Sequence, residues 1–206
     1  MPRPTETALK SRARALLEAM NERSRFVYAV PRDDGPAAVR AVTEAEGMRR
    51  TDEDAHTARY AGDRGEVTLT TRDIEDLDVL IVEAAGADAA PLLAKLLDQA
   101  GFYAQSTLLG SALDVGDEEA PEALATLAHM VVAWDKPWRD LFALHLGSSD
   151  AAVRRHAARS LLDAARAARA AGPAKELLEE AVKRAEDEGE LTLMREALAS
   201  LAAIAA

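Results

Sequence analysis

Asp150-Ala-Ala-Val153-Arg154-Arg-His-Ala157-Ala158-Arg-Ser-Leu161 is the stretch on which the fold turns. Asp150 follows Gly147-Ser148-Ser149. Its carboxylate can accept a hydrogen bond from the free amides of a helix start and interacts favourably with the positive end of the helix dipole, so it is read as an N-cap. Beyond it Val153, Ala157, Leu161 and Ala164 recur at three- and four-residue spacing and share one face, and the small pair Ala157-Ala158 lets a neighbouring helix approach closely. Val153, Ala157 and Leu161 are therefore expected to be buried, with Arg155 and Arg159 facing solvent. The preceding segment sets Trp138, Leu141, Phe142 and Leu146 on one stripe, with His145 beside them. The two segments predict an antiparallel helical hairpin.

An aspartate, a Val-Arg pair, two small residues and a leucine at these offsets resemble the second helix of a HEAT repeat. The resemblance covers roughly 30 residues and implies helical pairs stacked on others like them, since a single repeat cannot cover its own apolar face. Asp88-Ala-Ala-Pro91 opens in the same way as Asp150-Ala-Ala-Val153 but lacks the following arginine, so the repetition is not strict.

Regular punctuation continues the helical pattern on both sides. Asp88 and Pro91 open a helix ending near Gly101, Gln105 to Leu113 forms another, and Asp117 with Pro121 opens one running to about Ala133. Pro137 opens the Trp138 helix and Gly172-Pro173 the one after the Asp150 helix. Gly189 separates the stretch Glu176 to Glu188 from a last helix built on Leu191, Met194, Leu198, Leu201 and Ile204.

Nearer the start the pattern is mixed. Leu9, Ala13, Leu16, Leu17 and Met20 mark an amphipathic helix from Thr5, broken at Asn21 to Ser24. Arg25 to Val30, rich in aromatic and β-branched residues and stopped by Pro31, reads as a strand. Asp33-Asp34-Gly35-Pro36 is a turn that opens a helix with Val39 and Val42 inward, ending near Gly47. From Thr57 to Thr71 the period falls to two around Gly62-Asp63-Arg64-Gly65, which predicts an antiparallel hairpin. With the strand at Phe26 this makes a three-stranded sheet backed by the first two helices. Thr70 or Thr71 followed by Asp73 and Glu75 resembles a helix start, and Ile74, Leu77, Leu80, Ile81 and Ala84 carry helical spacing to Gly86. The run Val79 to Val82 is also readable as a buried strand. The expected fold is mainly α, an α+β portion over residues 1–71 leading into a HEAT-like helical array over residues 72–206.

Composition narrows the function. Hydrophobic residues make up 49% of the chain but aromatics only 4%, so the core is built from Leu, Val and Ala, which suits close-packed helices. With no cysteine, disulfides, thiolate catalysis and cysteine-based zinc sites are excluded, in keeping with a reducing cytoplasm. No apolar run is long enough to span a membrane or to signal secretion. The formal net charge is −11, and residues 51–91 hold eleven acids against three arginines. Such a surface repels phosphate, and the basic clusters Lys10, Arg12, Arg14 and Arg154, Arg155, Arg159 read as solvated helix faces rather than a nucleic-acid footprint.

No phosphate loop, serine elbow, His-Glu-x-x-His helix or calcium loop occurs, so no catalytic activity, cofactor or metal is expected. His56, His129, His145 and His156 stand far apart in sequence, although His145 and His156 could approach across the hairpin. Asp73, Glu75, Asp76 and Asp78 crowd one short stretch, with Asp52 and Asp54 as potential neighbours. They could hold Mg²⁺ if they converged, but they read better as an acidic recognition surface for a basic partner. Trp134 and Trp138 flank a single turn, where the two rings plug the junction between helical pairs or, if one is exposed, it anchors a partner, Trp138 above all.

The sequence thus points to non-catalytic protein binding, an adaptor or scaffold whose contacts are Asp73, Asp76, Asp78, Trp134 and Trp138. A second copy of the chain is an open alternative partner. So is a toxin neutralised by a bacterial immunity protein. A HEAT-like nucleic-acid enzyme is disfavoured by the charge.

Overall fold

A computed structural model describes residues 25–54, 56–62, 67–185 and 187–205. The helix expected from Thr5 to Met20, the break at Asn21 to Ser24, the cluster Lys10, Arg12, Arg14 and the hairpin tip Asp63-Arg64-Gly65 lie outside the described residues. Two compact units are present, one ending at Gln105 and the other beginning at Ser106.

In the first unit β1 (Arg25–Pro31) is followed by α1 (Gly35–Ala45), with Val39 and Val42 buried as expected. A Cβ at Gly35 would stand 2.9 Å from Leu80 Cδ2 and 3.0 Å from Val30 Cγ2, so only glycine lets the helix start this close to the sheet. Next come β2 (Arg49–Glu53), β3 (Thr57–Ala61), β4 (Val67–Ile74) and β5 (Val79–Gly86). β3 and β4 form the expected hairpin strands, with Thr57 opposite Arg72 and Ala61 opposite Thr68.

The sheet is larger than the sequence suggested: five antiparallel strands in the order β1-β5-β4-β3-β2. The helix expected to run to Gly86 does not form. β4 continues to Ile74, a 3-10 turn spans Glu75–Leu77, and Asp78 in the left-handed region (φ 52°) reverses the chain into β5. Val79, Leu80, Ile81 and Val82 are all buried, as a central strand covered on both faces requires, so the run takes its buried-strand reading and shows no alternation. β2 went undetected because all five of its residues are exposed. It is a short, charged, bulged edge strand, of the kind that resists edge-to-edge pairing. At the other edge the chain covers itself: the Tyr103 N–H donates to the Ala29 carbonyl (2.9 Å) and Gln105 Nε2 to the Val27 carbonyl (2.9 Å).

The helix opened by Asp88 forms as α2 (Ala89–Ala100), but it packs on α1 and strands β1, β4 and β5 rather than beginning the helical array. The sheet-bearing unit therefore extends well past residue 71.

The second unit is helical: α3 (Gln105–Leu113, whose first residue closes the sheet unit), α4 (Ala120–Ala128), α5 (Lys136–Leu146), α6 (Ala151–Ala168), α7 (Ala171–Val182) and α8 (Glu188–Ala205). α4 stops short of Ala133, and Gly189 lies within the first turn of α8 instead of before it. α5 packs on α6 and α7 on α8; α4, α6 and α8 pack in succession, and α5 packs on α7. The Asp150 side chain accepts from the Ala152 N–H at 2.7 Å, capping α6 as expected. Ala157 and Leu161 are buried and Arg159 is exposed, whereas Val153 is only half-buried and Arg155 leans toward Asp187 at 3.6 Å. Arg154 reaches α8 with a bidentate pair to Glu190, both contacts at 2.6 Å, and also donates to the Ser148 carbonyl at 2.8 Å. Among the described residues no helix is long and apolar enough to cross a membrane.

Two histidines tie helices together from inside this unit. His145 Nε2 lies 2.6 Å from the Ala112 carbonyl of α3, while His156 bonds the Pro121 carbonyl of α4. His145 Nδ1 and His156 Nε2 are buried without a hydrogen-bond partner. Burial pushes both imidazoles below their ordinary pKa; the carbonyl bonds oppose the shift, while His156 lowers His145 and Arg159 lowers His156. A folded-state pKa below the unfolded one means stability is fully present above about pH 6.5 and is lost as pH falls below it. The melting temperature should therefore drop between pH 7 and pH 5.5, before most carboxylates titrate. His156→Gln should flatten that slope, and an identical slope in the variant would contradict the assignment.

Candidate functional site: the acidic end of the sheet

Sheet topology decides which distant residues meet. Pro31 and Ile74 both lie opposite Val79, Thr57 lies opposite Arg72, and Glu53 lies opposite Ala58. The turns after β1, between β2 and β3 and between β4 and β5 therefore share one end of the sheet. Two backbone bonds tie them: Arg32 N–H to the Asp78 carbonyl (3.2 Å) and Asp73 N–H to the His56 carbonyl (2.7 Å). Asp33, Asp34, Asp54, Glu75, Asp76 and Asp78 are all exposed there.

Asp73 is different. Arg32 approaches it through Nε (2.8 Å to Oδ1) and Nη2 (3.1 Å to Oδ2), and the same Nη2 reaches Glu75 at 3.1 Å. These carboxylates raise the Arg32 pKa further above its ordinary value, the Asp73 hydrogen bond first among them. Asp73 thus fastens the β1 turn to β4, leaving Asp76 and Asp78 with the newly joined Asp33 and Asp34 as the outward charges. Asp54 Oδ1 accepts from the His56 N–H (2.9 Å) and the Thr57 N–H (2.7 Å), which holds its carboxyl below the usual range and fixes the β2–β3 turn. Asp52 faces Arg59 at 3.8 Å.

Beside this end an open cleft of about 530 Å³ separates α1 from strands β2–β4. Arg40, Thr43 and Glu44 line it from the helix, and Arg50, Tyr60 and Asp73 from the strands. Arg50 ion-pairs with Glu53 and lies over the Tyr60 ring, 5.9 Å from its centroid. Among the described residues no group of three or more His, Asp and Glu side chains is placed to hold a metal ion.

The two tryptophans belong to the helical unit. Trp138 is wholly buried and presents no ring to a partner, as the core-plug alternative requires. Trp134 is half-buried and stacks on Phe142 at 5.7 Å and 16°. Two further aromatics with no sequence signal of a site, Phe102 and Tyr103, are about half exposed at 50% and 42% in the segment after α2, with Phe102 edge-on to Tyr28. Comparison of the chain with protein-family models, with curated proteins and with solved structures finds no match.

Proposed function

We propose that the chain is a non-catalytic protein-binding module whose acidic sheet end docks a basic partner, in a chain that also contains a HEAT-like helical stack. The observation that carries this reading is the meeting of three sequence-distant turns, which sets the exposed acids Asp33, Asp34, Asp54, Asp76 and Asp78 together at one end of the sheet. A concentrated field of one sign attracts an opposite partner over about a Debye length and raises its association rate. The packing of α5 with α6 and α7 with α8, in layers α4-α6-α8 and α5-α7, supports the stack, since paired helices joined through like layers are how such repeats bury their faces.

Asp33→Lys with Asp76→Lys tests the docking surface. Asp78 is left alone because its left-handed backbone disfavours lysine. The double variant should fold as the parent does, associate more slowly with its captured basic partner and show a weaker dependence on salt. An unchanged association rate at low salt would rule the surface out.

A further inference from the structure

We propose that the cleft between α1 and strands β2–β4 receives a lysine or arginine side chain from an extended basic segment of the partner. This rests on the protein-binding reading above and names the chemistry of the contact.

The cleft is built for a side chain that is apolar along its stem and cationic at its head. Its volume of about 530 Å³ falls in the range of ligand pockets. Val39, Ala58 and Leu80, all buried core residues, form apolar parts of the lining, while Glu44, Glu53 and Asp54 supply carboxylates. Lysine and arginine stems bury against apolar surface in this way while their heads stay at a polar rim. Counted with Asp73, four carboxylates line the cleft against the two arginines Arg40 and Arg50, so its field favours a cation over an anion.

The chain itself shows that the lining accepts a guanidinium. Arg50 pairs with Glu53 and overlies the Tyr60 ring, combining a carboxylate and an aromatic face as a partner's arginine would. Arg50 is largely exposed and enters from the edge strand, so it can be removed without touching the core. Its removal leaves Glu53 and Tyr60 for the incoming cation.

The probe is the peptide acetyl-Gly-Arg-Gly-Arg-Gly-amide, titrated into the full-length ¹⁵N-labelled chain and followed by amide chemical shifts, with acetyl-Gly-Glu-Gly-Glu-Gly-amide as the control. The arginine peptide should shift amides from Val39 to Glu44 and from Thr57 to Tyr60, and the glutamate peptide should not. Arg50→Ser should tighten binding about threefold by freeing the aromatic face. Glu44→Lys with Glu53→Lys, both on exposed side chains, should weaken it roughly tenfold. Shifts centred on Asp33, Asp34, Asp76 and Asp78 with silent cleft amides would overturn the cleft assignment while leaving the acidic docking surface standing. Absence of shifts at either place would overturn both. Equal shifts from the glutamate peptide, or weaker binding by Arg50→Ser, would overturn the preference for a cation.

Discussion

Replacing Ala157 by arginine is expected to unfold the helical unit. Ala157 is wholly buried on α6, the helix that packs on α4, α5, α7 and α8, so the added side chain has no solvent-facing route. Overpacking and an unpaired charge together cost on the order of several kcal/mol, against total stabilities of about 5–15 kcal/mol for natural domains. Circular dichroism melts of the two proteins check this. A variant melting within about a degree or two of the parent would show that this face of α6 is not a packed interface.

Glu190→Ala is expected to cost about 3 kcal/mol. Glu190 is 0% exposed, and both its oxygens are taken by Arg154, whose side chain is 17% exposed. Removing the acid takes both carboxylate contacts from a largely buried guanidinium, whose bond to the Ser148 carbonyl stays, and breaking a buried pair from one side is the damaging case. Arg154→Met combined with Glu190→Leu should recover most of the loss, because an apolar pair of similar volume removes both desolvation penalties. Denaturant midpoints of the two single variants and the double variant measure the coupling. A loss below about 1 kcal/mol for Glu190→Ala would mean that the pair behaves like a surface contact.

What could be read in advance depended on whether a residue's role was local. The Asp150 cap, the inward stripe of Leu141, Phe142 and Leu146, the Pro36 helix and the strands at Thr57 and Val67 follow from chemistry within a few residues, and the structure has each of them. β5 is the buried-strand alternative for Val79 to Val82; the helical reading competed with it because Ile74, Leu77, Leu80, Ile81 and Ala84 fit a helical period by coincidence, and a strand buried on both faces carries no alternation to decide between them. With helix and buried strand both open for that run, the size of the sheet and the place of α2 upon it did not follow.

The acidic surface was legible in its continuous part and in the neighbouring Asp54, which the β2–β3 turn brings to the same end. Asp73, Asp76 and Asp78 stand together in the chain, and the structure keeps them at one end of the sheet. That Arg32 would hold Asp73, and that Asp33 and Asp34 would join the patch, depends on β1 pairing with β5, a long-range contact with no local signature. Trp138 has the composition of a binding anchor and the burial of a core residue; its neighbours on α5 decided between them.

The most direct test of the account is quantitative affinity capture with the parent chain and the Asp33→Lys, Asp76→Lys variant as paired baits, each at low and moderate salt. The expected result is a basic protein that is enriched on the parent, depleted on the variant and released from the parent as salt rises. The same protein recovered equally on both baits, with no response to salt, would contradict it.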